Sequence, residues 1–231
     1  MRLRTLVVLV AVAAVALLAA TASQASRYMR VGIYDEAQTL YGPVPKTFAL
    51  FKQLHVQEVR LNLYWGGTYG VARTRPRNAT NPNDPAYNWF LYDRTVNYAA
   101  QAGVHVLFSV YGTPSWANGG KGMNVAPTRA VDLRNFALAA ARRYGGAWPG
   151  SDGRILPAVK EWLAWNEPNN PLFLTPQYKK TSTGWVIQIR LLPYSCVTSV
   201  IRSPMFPSVT AVAGAPFAVT GLVVGWSVGP A

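Results

Sequence analysis

Acidic residues are scarce in this chain. Its 231 residues hold 9 Asp and Glu against 22 Lys and Arg, a formal charge of +13, and no acid lies beyond Glu167. Cysteine occurs once, at Cys196, which excludes an intrachain disulfide and a cysteine-based metal site. The histidines are His55 and His105, two isolated residues that read as packed or hydrogen-bonded rather than as zinc ligands. No metal and no other cofactor is expected. No G-x-G-x-x-G or Walker pattern follows any apolar run, so a nucleotide-binding fold has no support. The basic balance raises the question of nucleic acid. However, the excess comes largely from missing acids. The tightest basic cluster, Arg73, Arg75 and Arg77, sits beside Pro76 and Asn78 in a loop-like stretch, without an aromatic-basic ribbon. Nucleic acid is not the expected partner, because charge balance speaks to nonspecific association and not to fold.

Half of the residues are hydrophobic, enough for a sizeable core. Residues 1–25 read as an export signal: Arg2 and Arg4 precede an apolar run from Leu6 to Ala20, then small residues suited to cleavage. The run is short for a membrane span. A secreted protein with no stable span after cleavage is expected, with an uncleaved N-terminal anchor as the alternative.

Strands and helices then alternate. Met29–Tyr34 reads as a short strand ending at Asp35 and Glu36, which are expected to be structural. Pro45 suits the first turn of a helix with Phe48, Phe51 and Leu54 as its apolar stripe. From Val56 to Trp65, Val59, Leu61 and Leu63 alternate with Glu58, Arg60, Asn62 and Tyr64, the period of a strand. A Gly-, Pro- and Asn-rich loop spans 66–88. A helix from about Phe90 to Ala102 stops at Gly103, and Val104–Tyr111 is β-branched and aromatic, suited to a buried parallel strand. The next helix, ending near Tyr144, aligns Leu133, Phe136, Ala137, Ala140 and Tyr144 on one face.

The fourth strand leads into Lys160–Asn170, K-E-W-L-A-W-N-E-P-N-N, an aromatic strand with a polar tip. Pro168 disfavours helix at Glu167, so the chain must turn there. Connecting helices of this length imply parallel strands. Polar residues gather at the strand C-termini, where a (β/α)8 barrel places its chemistry.

These stretches resemble glycoside hydrolases of clan A, the (β/α)8 retaining glycosidases that include the family 5 cellulase-like and family 39-like enzymes. The resemblance rests on W-N-E-P-N at 165–169, V-R-L-N-L-Y-W at 59–65 and T-P-S-W-A at 113–117, in the family's order, and covers about residues 27–180. It implies a carbohydrate substrate, with Glu167 as acid/base, Asn166 bonding a sugar hydroxyl and Arg60 orienting the carboxylates. Trp65, Trp116 and Trp165 become candidate sugar platforms, and Asn169 a further substrate contact. Trp162 and Trp165 lean towards core packing and Trp116 towards substrate. A retaining glycosidase needs two carboxyl groups about 5–5.5 Å apart. Its acid must be held protonated by burial and by the neighbouring carboxylate.

The resemblance also implies a nucleophilic glutamate at a later strand, and this chain has no acid after Glu167. The expected fold is therefore α/β, a (β/α)8 TIM barrel that is incomplete. Residues 27–188 supply the first four βα units, and 189–231 form an atypical apolar tail. That tail reads as a frameshifted C-terminus, with a membrane-associated tail or an unusual packing element as alternatives. The expected function is an exported retaining glycosidase acting on a β-linked poly- or oligosaccharide, impaired here. The alternatives are a catalytically inactive carbohydrate-binding protein and a nonfunctional fragment.

Overall fold

Four parallel strands carry the structure, in the order β1 (Gly32–Tyr34), β2 (Glu58–Tyr64), β3 (His105–Tyr111) and β4 (Glu161–Ala164). The computed structural model describes residues 30–187. The expected signal segment at 1–25 and tail at 189–231 lie outside the described residues, as does Met29. In register, Tyr34 lies opposite Arg60, Arg60 opposite Leu107, and Leu107 opposite Glu161.

The crossovers run through α1 (Val44–Gln53), α2 (Phe90–Ala102) and α4 (Ala130–Arg143), with a four-residue α3 (Ser115–Asn118) after β3. Pro45 sits in the first turn of α1, where its missing N–H costs nothing. Gly103 ends α2 with φ 72°, a left-handed cap that favours glycine. A π-helical turn, Ala37–Tyr41, precedes α1; Asp35 accepts at its start from the Gln38 N–H, 3.1 Å.

Period-2 alternation divides the sheet into two faces. Val59, Leu61 and Leu63 of β2 are fully buried, and Val106, Phe108 and Val110 of β3 nearly so. Each such side chain contributes about 1.5–3 kcal/mol relative to exposure. The Phe108 ring meets Tyr92 of α2, Tyr144 just after α4, and Trp162 of β4, so this face lies under the helices. The α2–α4 contact is locked by a buried ion pair. Arg143 donates to Asp93 from Nε at 2.8 Å and also from Nη2, and the Tyr144 hydroxyl adds a bond of 2.9 Å.

The opposite face carries Tyr34, Arg60, Asn62, Tyr64, Ser109 and Tyr111, and this is the face of the candidate site. The loop between β2 and α2 is well tied. Asp84 accepts from the N–H groups of Asn78 and Ala86, the Tyr87 hydroxyl donates to the Ala79 carbonyl, and the Trp89 indole donates to the Pro82 carbonyl.

Three expectations change. Leu54 is exposed, because α1 ends at Gln53 and the chain turns away through His55 at φ 54°. In α4, Ala139 is fully buried while Ala137 is only half-buried, so the packed face is shifted from the expected stripe. The fourth unit has a strand, but no helix follows it among the described residues. A turn through 165–174 leads to an antiparallel hairpin of β5 (Tyr178–Thr181) and β6 (Gly184–Ile187). Pro168, Pro171 and Pro176 each remove a backbone donor from the stretch where a helix would have started.

Candidate active site at the strand C-termini

The first strand is short, and a side chain continues it. Tyr34 is the last residue of β1, opposite Arg60. Two residues on, Glu36 extends its carboxylate instead of its backbone, and Oε1 accepts from the Asn62 N–H at 2.7 Å. Its Oε2 accepts from the Tyr64 hydroxyl at 2.9 Å. The Asn62 amide donates to the Tyr34 hydroxyl at 2.8 Å, and the Arg60 guanidinium lies 5.5 Å from the Tyr34 ring centroid. Burial pushes the Glu36 carboxyl above the usual carboxylate range, against the lowering effect of these donors and of nearby Arg60. Burial likewise raises the Tyr64 phenol.

Arg60 connects this cluster to the fourth strand: its Nη2 donates to Asn166 Oδ1 at 2.5 Å. Ser109 of β3 donates to the Trp165 carbonyl at 3.0 Å and fixes the exit of β4. The exit is strained. Trp165 has φ 76° and Glu167 φ 41°, left-handed conformations that cost a non-glycine residue about 1–3 kcal/mol each. The turn beyond is pinned by the Asn170 N–H donating to the Glu167 carbonyl and by Gln177 donating to the Pro168 and Leu174 carbonyls.

Of the three candidate residues Arg60, Asn166 and Glu167, the first two touch, and Glu167 follows Asn166 directly in the chain. Glu167 itself is exposed, its carboxylate meeting the Asn170 amide at 3.4 Å. The burial expected around the acid is not supplied by the described residues; the half-buried carboxyl of the cluster belongs to Glu36. Asn169 is exposed on the same turn.

Of the candidate tryptophans, Trp65 departs from expectation. Trp65 is completely buried, stacked on Phe136 at 5.8 Å and meeting the edge of Trp116, so both ring faces are occupied by protein and it offers no sugar platform. Trp165 is buried too, donating to the Phe173 carbonyl and packing on Tyr111. Trp116 is half-buried, with its indole donating to the Ala72 carbonyl and Arg75 lying over its ring at 4.4 Å. Glu36 and Tyr34 belong to the cluster around Arg60 and Asn62. Their signal was the i, i+2 spacing at the end of β1, which puts both on the face of Arg60 and Asn62.

The rim loops are joined. A Cβ on Gly66 would come within 2.3 Å of the Pro114 nitrogen, so the loops after β2 and β3 touch backbone to backbone. The loop after β3 is tied to the turn after β4 by the Thr175 N–H donating to the Asn124 carbonyl and the Ala126 N–H to the Thr175 carbonyl, both 2.8 Å. Five side-chain atoms are buried without a hydrogen-bond partner among the described residues: Arg60 Nε and Asn62 Oδ1 on the polar face of β2, Trp65 Nε1 and Thr113 Oγ1 in the loops after β2 and β3, and Arg94 Nε on α2. No group of three His, Cys, Asp or Glu among the described residues is placed to hold a metal ion. No helix among them is long and apolar enough to cross a membrane.

No protein-family model matches the chain, and no curated protein matches it in sequence. Solved structures do match. A glucosidase from Croceicoccus marinus superposes with a TM-score of 0.51 at 16% identity, over 74% of this chain and 34% of that one. The fold is glycoside hydrolase-like. A family 39 glycoside hydrolase from Bacteroides cellulosilyticus WH2 matches at TM-score 0.40 and 17% identity, over 74% of this chain and 29% of that one. A β-galactosidase from the psychrophilic Marinomonas ef1 matches at 0.39 and 15%, over 60% and 22%. The likeness to the glucosidase is one of fold, and its parallel sheet with crossover helices fits a partial (β/α)n arrangement. This chain spans about a third of that glucosidase's length.

Proposed function

We propose that this chain is an exported protein directed at a β-linked saccharide, which it binds over the C-terminal ends of its parallel strands. In this reading Glu167 is the acid/base of a retaining glycoside hydrolysis, and Arg60 and Asn166 hold the sugar beside it. The observation that carries the reading is the bond from Arg60 to Asn166, which brings the arginine of the second strand to the residue before Glu167. The partnerless Arg60 Nε and Asn62 Oδ1 add support. A buried polar atom without a partner costs about 1–3 kcal/mol, and a sugar hydroxyl, both donor and acceptor, is suited to offset that cost at either atom.

As acid, Glu167 would give its proton to the leaving glycosidic oxygen; as base, it would later take one from the attacking water. The nucleophile must come from a second carboxyl group, and none follows Glu167 in this sequence. The exposure of Glu167 favours a second reading: saccharide binding with impaired or absent turnover.

Hydrolysis of aryl β-glycosides by the purified full chain, compared with Glu167→Gln, separates the two. Under the retaining reading, turnover is measurable and falls at least about 100-fold in the variant, the scale of a lost general acid. Saccharide binding by calorimetry, without turnover in either protein, supports the second reading. Absence of both overturns both.

A further inference from the structure

The exposed charges on the loops after β2 and β3 are all positive, whereas the turn after β4 carries the exposed Glu167. Arg73 and Arg77 are exposed on the loop after β2, and Lys121 and Arg129 are exposed on the segment between β3 and α4. The acids near them are occupied. Asp84 is buried and accepts backbone N–H groups. Asp132 is buried and paired with Arg75 at 3.4 Å. Arg75, the middle of the three loop arginines, is also spent on structure: it covers the Trp116 ring and donates to the Trp116 carbonyl at 3.0 Å. That clasp fixes the loop's position while its neighbours on either side, Arg73 and Arg77, reach solvent. The loops bearing these cations are linked in series to the turn bearing Glu167, through Arg75 and Trp116 and then through Asn124 and Thr175.

A neutral saccharide gives such a rim nothing to neutralise. We propose that the saccharide bound by this chain is a polyanion, carrying carboxylate or sulfate groups that Arg73, Arg77, Lys121 and Arg129 hold on the rim of the site. The inference rests on the saccharide reading given above and specifies its substrate class. Exposed cations on tied loops attract such a chain over roughly a Debye length, about 10 Å at 0.1 M salt, and the attraction falls as salt is added. The arginines also offer carboxylates and sulfates a planar, paired-donor geometry that lysine lacks.

The test is binding of the full chain to polygalacturonate, to dextran sulfate, to neutral β-glucan and to duplex DNA, at about 50 and 200 mM NaCl. The expected result is tighter binding of one or both polyanionic saccharides than of neutral glucan. That binding should weaken steeply with salt, and fall about tenfold in Arg73→Ser/Arg77→Ser and in Lys121→Glu. The two polyanions distinguish carboxylate from sulfate recognition. Circular dichroism and melting of both variants establish that they fold; Lys121→Glu changes a different loop, so the two variants check each other. Neutral glucan bound as tightly as the polyanions overturns the inference and leaves the saccharide reading standing. Unchanged polyanion affinity in both folded variants also overturns it. DNA bound more tightly than either polysaccharide, and weakened by the same variants, overturns it in favour of a nucleic-acid surface. Failure to bind any saccharide overturns both readings.

Discussion

At the scale of single residues, Glu36 has the largest influence for its size. Its carboxylate takes the ladder N–H of Asn62 and the hydroxyl of Tyr64, so one acid organises the polar face of β2. Its pKa lies above the ordinary value, chiefly through burial. The folded state therefore holds its proton more tightly than the unfolded chain does. Between the unfolded pKa, near 4.3, and the raised folded one, the native state binds more protons and the group's contribution to stability falls as pH rises. Glu36→Gln cannot titrate. The stability of the wild type relative to Glu36→Gln is expected to be greatest at about pH 4 and to decline towards neutrality, as read from urea melts across that range. A relative stability that rises with pH would contradict the assignment.

At the scale of elements, the sheet depends on how its covering helices are fixed. Asp93 of α2 and Arg143 of α4 are both buried, and Tyr144 shares the same carboxylate. Asp93→Asn would leave a buried guanidinium short of its counter-charge, a loss of about 3–5 kcal/mol that chemical denaturation would measure. Period-2 alternation in residues 58–64 and the apolar faces of the helices made three of the four strand–helix units readable, because burial on one side imposes a period. The hairpin at 178–187 was not readable. Tyr178, Lys179 and Lys180 are exposed, and the run at 185–187 is continuously apolar, so neither strand shows a period-2 alternation. The meeting of Arg60 with Asn166 joins residues 106 positions apart, and only the family resemblance suggested it. The burial of Trp65 was hidden for a related reason. A tryptophan at a strand tip looks the same in sequence whether a ligand or Phe136 covers its ring.

At the scale of the whole molecule, the charge is lopsided in kind as well as in number. Asp93, Asp132 and Asp152 are engaged by arginines, and Glu36 and Asp84 by hydrogen-bond donors. The remaining cations repel one another across the surface, while the buried pairs are little affected by salt. Raising NaCl from about 20 to about 200 mM is expected to increase the melting temperature by roughly 2–4 °C, as for a gain of about 1 kcal/mol in a chain of this size. A fall on adding salt would mean that exposed ion pairs, rather than repulsion, dominate. The contact of Gly66 with Pro114 also has a mechanical consequence. Because the two loops are flush at their roots, the tips of β2 and β3 cannot part without breaking the packing around Trp65. Any independent adjustment of the two loops must then arise in their outer reaches, around Arg73 and Lys121, while the roots stay rigid.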